Sequence, residues 1–287
     1  MSEHHVFAAD WLSLREPADH AARSRLLFAE LAAFLESRAA PDKALNIVDL
    51  GAGAGSNLRW LAPRLDHAQA WTLVDRDAGL LARATAQAVQ SPSGHSIAVR
   101  TVETDLSNST LPWIADADLV TSAAFFDLVS AEWIARLSRA CADAEAACLF
   151  VLSVDGQWAF TDGDGNTIGD EDVVYVQELF NQHQRRNKGL GAALGPDAAP
   201  WLARSLAKHG LEVSTAASDW NLVAGDELTR ALGAELMAGW RQAALEQAPQ
   251  AADRIERWHR RRQADLADGR LGLRVGHLDV LGLPPQS

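Results

Sequence analysis

The chain is poor in cysteine and has no long apolar run. Cys141 and Cys148 are its only cysteines, so a disulfide framework is excluded and a reducing compartment is expected. The first residues lack the basic-then-apolar pattern of a secretion signal, and no apolar run approaches the ~20 residues that a membrane-spanning helix needs. These absences predict a protein of the cytoplasm that has no membrane partner.

Positive charge is scarce as well. The chain has 26 lysines and arginines against 38 aspartates and glutamates, which gives a formal net charge of −12. Proteins bind nucleic acids largely by neutralising phosphates, so this balance predicts that the chain has no nucleic-acid partner. Hydrophobic residues at 48% and charged residues at 22% are typical of a folded globular protein.

The most informative segment is a glycine-rich stretch between an apolar run and a helical pattern. The apolar run at 47–50 suits a buried parallel strand. Gly51, Gly53 and Gly55 follow at alternate positions and place no side chain between the backbone and a ligand. A helix begins near Ser56, so its unpaired N–H groups point above the loop. This stretch predicts a nucleotide-like cofactor site at the carboxyl end of the first strand.

The spacing of these glycines separates the cofactor classes. A dinucleotide fingerprint has the pattern G-x-G-x-x-G, and Ser56 stands where its third glycine would be. No Gly-Lys-Ser/Thr sequence follows, which excludes a phosphate-binding P-loop. Taken alone, the glycines are also compatible with a plain strand-to-helix turn.

Two later apolar runs also end in acids. The run at 70–75 ends in Asp75, and the run at 101–106 contains Asp105 followed by Leu106. A carboxylate after the second strand can accept hydrogen bonds from both hydroxyls of a ribose. Together with Asp49 in the first run, three acids follow three strand-like runs in register. This register favours a cofactor site over a simple turn.

The segment from Asp49 to Gly55 reads Asp-Leu-Gly-Ala-Gly-Ala-Gly and resembles motif I of the class I S-adenosylmethionine (SAM) dependent methyltransferases. The resemblance covers about residues 45–155 and implies SAM as the cofactor. It implies that Asp105 accepts a hydrogen bond from the adenine amino group and that Arg15 or Arg23 reaches the carboxylate of SAM. The cofactor-binding residues that we expect are Asp49, Gly51, Gly53, Gly55, Asp75, Asp105, Leu106, Ser122 and Arg15.

Strands and helices alternate along the chain. Strands are expected at about 45–50, 70–75, 97–103, 118–122 and 147–153, with helices between them. Later helices are expected at about 201–209, 226–247 and 251–268, and later strands at about 211–216 and 271–283. This order predicts an α/β fold with a doubly wound, mostly parallel seven-stranded sheet and helices on both faces.

The domain organisation follows from where this alternation breaks. An N-terminal helical segment is expected over 1–40 and a methyltransferase domain over 41–287. Seven glycines and charged runs fill 155–200, directly after the fifth strand and so on the side where ligands bind in open α/β sheets. We therefore predict that 155–200 is an inserted substrate lid and that 226–268 is a helical insertion before the last strand.

A polar, basic cluster at 181–189 lies in the predicted lid and reads Asn-Gln-His-Gln-Arg-Arg-Asn-Lys-Gly. It suits either an anionic acceptor, with His183 as the catalytic base, or a solvated helix end whose cations face the helix dipole. For Trp158, an aromatic pocket and core packing both remain open. The substrate-binding residues that we expect are His183, Arg186, Lys188, Phe126 and Trp158. No metal site is expected.

The resemblance implies SN2 transfer of the sulfonium methyl group to an oxygen or nitrogen of a small-molecule acceptor. An anionic metabolite is one candidate. An Asn/Asp-Pro-Pro-Tyr motif is absent near the fourth strand, where residues 121–126 read Thr-Ser-Ala-Ala-Phe-Phe, which argues against the family that methylates nucleic acids and protein amides. A catalytically silent SAM-binding module and an NAD-dependent oxidoreductase are the alternatives, and the glycine spacing disfavours the second. The sequence leaves the oligomeric state open.

Overall fold

The computed structural model describes residues 9–38, 43–87, 89–107, 109–187 and 190–285. Within these ranges the chain has nine α-helices and nine β-strands. The helices are Ala9–Ala22 (α1), Arg25–Arg38 (α2), Ser56–Leu61 (α3), Ala78–Ala86 (α4), Ala131–Asp143 (α5), Glu171–Gln184 (α6), Ala198–Lys208 (α7), Glu227–Gln247 (α8) and Ala252–Ala267 (α9). The strands are Leu45–Leu50 (β1), Gln69–Asp75 (β2), Ile97–Glu103 (β3), Leu119–Ala123 (β4), Ala147–Thr161 (β5), Thr167–Ile168 (β6), Glu212–Ala217 (β7), Trp220–Leu222 (β8) and Gly272–Leu283 (β9).

The strands form one mixed sheet in the order β3-β2-β1-β4-β5-β9-β7. The first five strands in this order, β3 to β5, run parallel to one another. β9 runs antiparallel between β5 and β7, while the short strands β6 and β8 pair with β5 and β9. The predicted doubly wound, mostly parallel α/β sheet is confirmed, and two short strands add to the seven expected. The order reverses between β1 and β4, where such sheets leave a crevice for ligands.

Adjacent residues of β1 point to opposite faces of the sheet and build two separate apolar layers. Ile47 packs with Leu31 of α2 and Leu81 of α4 on one face. Val48 lies in the layer on the other face, together with Trp133 of α5. Burying one such aliphatic side chain stabilises the fold by about 1.5–3 kcal/mol. The two layers cover β1 on both faces. Its carboxyl end lies at the crevice.

A third apolar cluster forms where α6, α8 and α9 pack on the far end of β5. Trp158 of β5 and Trp240 of α8 stack with their ring centroids 4.0 Å apart and their planes 7° apart. Trp258 of α9 is fully buried beside them. This cluster fixes α8 above the sheet. None of the helices in the described ranges has both the length and the apolar character needed to cross a membrane.

β5 is longer than the sequence predicts, because it continues to Thr161 instead of ending near residue 153. Its register with β9 shifts between Phe150 and Ser153 and again between Val154 and Trp158. Leu152 has a φ of 59° at the first shift. Such bulges let a strand bend and still remain paired. The segment 155–200 therefore contains the end of β5, β6, α6 and the start of α7, and its role as a lid stays a prediction.

A buried carboxylate ties these bulges to the rest of the fold. Asp279 of β9 is 1% exposed and accepts hydrogen bonds from the Leu152 N–H at 2.8 Å and the Ser218 hydroxyl at 2.6 Å. Its second oxygen accepts the Ser24 N–H at 2.9 Å. One side chain thus connects β5, the loop between β7 and β8, and the start of α2.

We expect Asp279→Ala to lower the free energy of unfolding by about 3–5 kcal/mol, because each of the three donors left without an acceptor costs about 1–3 kcal/mol. Chemical denaturation followed by circular dichroism measures this change. Arg274→Ala changes an exposed residue on the same strand and should cost less than about 0.5 kcal/mol. Equal stability of the two variants would contradict the role given to Asp279.

Candidate functional site

A cavity of about 620 Å³ lies at the carboxyl ends of β1, β2 and β4. Helices α1, α3, α6 and α8 and the loops after β3 and β4 also contribute to its wall. Ligand pockets commonly measure roughly 300–1,000 Å³. A larger groove of about 700 Å³ lies beside β3, on the sheet face, but none of the residues predicted for the cofactor or the acceptor lines it. The cavity at the strand ends is therefore the candidate site.

The glycine loop forms the floor of this cavity. Gly51 and Gly53 both line it and have φ values of 66° and 52°. A Cβ on Gly51 would lie 2.8 Å from the Phe125 ring, so a side chain there would displace that ring. Gly55 does not line the cavity, and a Cβ on it would lie 2.8 Å from the Ala84 Cβ. The third glycine therefore serves the close packing of α3 against α4.

Asp75 is fixed at the end of β2 by two backbone donors. Its Oδ2 accepts the Gly53 N–H at 2.8 Å, and its Oδ1 accepts the Asp77 N–H at 3.0 Å. Each carboxylate oxygen can accept a second hydrogen bond. The side chain lines the cavity and can accept bonds from ligand hydroxyls without moving.

Asp105 and Leu106 lie on the loop after β3, and both line the cavity. Asp105 is exposed and accepts a hydrogen bond from the Ser107 N–H at 2.8 Å. Leu106 is 5% exposed, and its carbonyl accepts the Trp133 indole N–H at 2.8 Å. This last bond holds the loop against α5, so a polar and an apolar side chain stand together at the cavity wall.

A chain of buried hydrogen bonds runs beneath the glycine loop. The Asn57 amide donates to Asp49 Oδ1 at 2.9 Å and to Thr121 Oγ1 at 3.0 Å. The Thr121 hydroxyl donates to the Leu149 carbonyl at 2.7 Å. On the other side, Arg23 Nη1 donates to Asn57 Oδ1 at 2.5 Å. The chain therefore links the end of α1 with α3, β1, β4 and β5.

Two members of this chain keep unpaired polar atoms. Asp49 Oδ2 and the Nε and Nη2 atoms of Arg23 have no hydrogen-bond partner. Burial raises the pKa of Asp49 to about 7 and lowers the pKa of Arg23 to about 10. An unpaired buried group costs about 1–3 kcal/mol. Asp49 lies at the floor of the cavity but is fully buried, so its charge would attract a ligand ammonium seated above the glycine loop.

Arg15 lines the cavity but its guanidinium is already bound. It donates to both oxygens of Asp19, at 2.9 and 3.0 Å, and it lies 5.0 Å from the centre of the Trp220 ring. To bind a ligand carboxylate, the Arg15 guanidinium would have to share or give up its bonds to Asp19.

Three predicted residues do not line the cavity. Ser122 is fully buried, and its hydroxyl donates to the Leu50 carbonyl at 2.6 Å. Phe126 is fully buried, with its ring centroid 4.6 Å from that of Phe150. Trp158 lies in the third apolar cluster because β5 continues through it. Ala123, Ala124 and Phe125 face the cavity at the end of β4.

The basic cluster is largely paired within the protein. His183 lines the cavity, and its Nε2 lies 2.9 Å from Glu246 Oε2. Hydrogen bonds from Gln242 and His183 lower the pKa of Glu246. Arg186 is exposed and donates to Gln247 Oε1 at 2.6 Å, outside the cavity. Lys188 lies outside the described residues.

The wall formed by α8 and its neighbours was not predicted from the sequence. Six of its cavity-lining residues are Glu235, Leu236, Gly239, Trp240, Gln242 and Glu246, and Phe180 of α6 and Trp11 of α1 adjoin them. A glycine inside a strongly helical segment is the one sequence signal that could have marked this wall, since glycine weakens a helix interior. In the described part of the chain, no three His, Cys, Asp or Glu side chains are grouped as metal ligands.

Residues 47–144 match the family model described as a methyltransferase domain. Over these residues the chain is similar to a methyltransferase domain. The matched residues run from β1 through α5, so they include the glycine loop, Asp75 and Asp105. No curated protein matches the chain.

Solved structures resemble the chain only at low sequence identity and low TM-score. A cyclopropane synthase from Mycobacterium tuberculosis has 13% identity and a TM-score of 0.46, over 97% of this chain and 96% of that chain. A SAM-dependent methyltransferase from Geobacter sulfurreducens, in complex with S-adenosylhomocysteine, has 18% identity and a TM-score of 0.44, over 97% and 99%. A phosphoethanolamine N-methyltransferase from Haemonchus contortus has 16% identity and a TM-score of 0.37, over 90% and 53%. Scores this low say nothing about the acceptor of this methyltransferase.

The residues of the methyltransferase domain fit SAM on two structural grounds. The glycine loop leaves open space above Gly53, where the nearest atom to an added Cβ is the Leu12 side chain at 3.6 Å. The unpaired Asp49 oxygen suits the ammonium of the cofactor's methionine half. Asp75 and Asp105 would then hold its nucleoside half by accepting hydrogen bonds.

We expect SAM affinity to rise with pH between about pH 5.5 and about pH 7.5, because an ammonium favours the ionised form of Asp49. Burial raises the pKa of Asp49 from 3.8 to about 7. The stability that its protonated form gives to the unliganded protein is therefore complete below about pH 4 and is lost as the pH rises through about 7.

Isothermal titration with SAM across this range measures the effect. Asp49→Asn should bind SAM about tenfold more weakly, and its affinity should no longer depend on pH in this range. Asp116→Asn, at an exposed position outside the cavity, should behave as wild type. An unchanged pH dependence in Asp49→Asn would contradict the contact.

Proposed function

We propose that this enzyme transfers the methyl group of SAM to a nitrogen or oxygen of a small-molecule acceptor. The observation that supports this proposal is the continuity of the cavity: the strand-end residues and the walls from α6 and α8 line the same space. A cofactor on the glycine loop would leave the α6 and α8 side for a second ligand. We name this side the acceptor half and define it by Trp11, Phe180, His183, Glu235, Leu236, Gly239, Trp240, Gln242 and Glu246.

The protein's contribution to this reaction is alignment, exclusion of water and removal of a proton. SAM supplies an electrophilic methyl group when bound. Apolar walls from Phe180, Leu236 and Trp240 exclude water and hold an acceptor in one orientation. His183, held by Glu246 at 2.9 Å, would take the proton that the acceptor loses. The solvent-exposed Glu246 would then pass that proton on.

We expect Asp75→Ala to weaken SAM binding by about 1–3 kcal/mol, because the ribose hydroxyls lose their acceptor. Isothermal titration measures the dissociation constant, and NAD titrated in parallel should not bind. Glu103→Ala is the matched control, since Glu103 stands opposite Asp75 in the β2–β3 register but does not line the cavity. If Asp75→Ala binds SAM as tightly as Glu103→Ala does, the cofactor is wrongly placed.

We expect His183→Gln to bind SAM normally but to turn over about 10²–10⁴ times more slowly, as when a general base is lost. Turnover is measured as S-adenosylhomocysteine formation with any acceptor that reacts in a panel of small amines, phenols and carboxylic acids. The pH–rate profile should lose its acidic limb. His209→Gln, whose histidine directly follows α7 and does not line the cavity, should keep wild-type rates. A wild-type turnover number in His183→Gln would exclude it as the base.

A further inference from the structure

The charge that lines the cavity is strongly negative. Nine acidic residues line it, against three arginines and His183. Two of the arginines are already bound to carboxylates, Arg15 to Asp19 and Arg59 to Glu16 at 2.6 Å. A cleft lined mainly by one sign of charge concentrates ligands of the opposite sign. The cavity therefore attracts cations and repels carboxylates.

Four residues of α8 lie along one line on the helix surface. Three of them have polar side chains, and the fourth is a glycine. Glu235, Gly239, Gln242 and Glu246 are separated by four, three and four residues, so they share one face of the helix. All four line the acceptor half. A carboxylate thus stands at each end of this line, about 11 residues or three helical turns apart.

Apolar side chains line the cavity beside these four residues. Leu236 and Trp240 lie on the adjacent face of α8, and Trp11 of α1 also lines the cavity. Phe180 of α6 packs edge-on against Trp240, with ring centroids 6.4 Å apart. Trp240 cannot rotate freely, because it is stacked on Trp158 with ring centroids 4.0 Å apart. Aromatic faces also attract cations. These walls suit a ligand with an apolar body and a positive charge.

Gly239 has no packing reason to be glycine. A Cβ on it would meet no atom within 4 Å, although glycine inside a helix lowers its stability. The other glycine of α8, Gly233, does have a reason, since its Cβ would lie 3.0 Å from Leu273. The open space at Gly239 faces the cavity. A ligand that touches the helix backbone would explain why a side chain is absent there.

We propose that the acceptor is an amine on an apolar body, seated against α8 at Gly239 with its ammonium attracted by Glu246, beside His183. This proposal rests on the function proposed above and specifies its substrate class. The bound ammonium gives one proton to His183. Its nitrogen lone pair then forms the N–C bond to the methyl group as the C–S bond breaks. That electron pair stays on sulfur, which leaves a neutral thioether and a methylated ammonium.

The test compares pairs of ligands that share an apolar body and carry either an ammonium or a carboxylate. Wild-type protein is first titrated with SAM and then saturated with S-adenosylhomocysteine. Butylamine, phenethylamine and tryptamine are each compared with the carboxylate of matching shape, namely pentanoate, 3-phenylpropionate and indole-3-propionate. We expect at least one amine to bind about tenfold tighter than its carboxylate partner and to be methylated when SAM replaces S-adenosylhomocysteine.

Three variants test the seat on α8. Gly239→Leu should abolish amine binding and leave SAM binding intact, whereas Ala238→Leu, the exposed neighbour outside the cavity, should leave both intact. Gly239→Ala should raise the melting temperature while it raises the KM for the amine. Glu246→Gln should weaken amine binding about tenfold, whereas Glu178→Gln, on the exposed face of α6, should not.

The possible outcomes distinguish a failure of this inference from a failure of the proposed function. If SAM does not bind, the proposed function fails and this inference fails with it. If SAM binds but no amine binds better than its carboxylate partner, the amine class alone is overturned. If an amine binds best but Gly239→Leu and Glu246→Gln bind it as tightly as their controls do, the seat on α8 is overturned. Amine preference that both variants lose supports the proposal.

Discussion

The structure depends on one buried carboxylate that keeps an unpaired oxygen. Asp49 lies near the end of the interior strand β1. Its Oδ1 accepts a hydrogen bond from Asn57, which also bonds Thr121 and Arg23. Through these bonds the glycine loop, the crevice between β1 and β4 and the end of α1 share one rigid base. Burial of this base is costly without a ligand, as the raised pKa of Asp49 and the unpaired atoms of Arg23 indicate. The same cost makes the site receptive to a cationic cofactor.

The sequence predicted the parallel half of the fold almost residue by residue, because each strand there is an apolar run that ends in an acid or a small residue. It predicted β3 over 97–103 and β1 over 45–50, which the structure confirms. The end of β5 was wrong, since a bulge with Leu152 at positive φ lets the strand continue after its apolar run stops. Of the two interpretations left open for Trp158, the structure shows core packing, since Trp158 lies inside the third apolar cluster.

The acceptor half was the least predictable part, for a physical reason. Its wall comes from α8, about 50–60 residues after the basic cluster, and only tertiary packing decides which helix face meets the cavity. The basic cluster suggested an anionic acceptor because sequence shows charges without their partners. In the fold Arg185 bonds Asp197 at 3.0 Å, Arg186 bonds Gln247, and His183 bonds Glu246. The charge that remains on the cavity wall is negative, so the structure favours the opposite class of acceptor.

The length of β5 has a mechanical consequence. Its first half belongs to the sheet beneath the cofactor loop, and its second half carries Trp158, on which the α8 wall rests. The same strand therefore lies beneath the glycine loop and supports the α8 wall, and it pairs with β9 on both sides of the bulges. Moving the α8 wall away from the sheet would separate Trp240 from Trp158, so any opening of the predicted lid has to leave this stack intact. Helix α1 contributes Trp11, Leu12 and Arg15 to the wall, and the adjoining Arg23 ties its end to the base of the glycine loop.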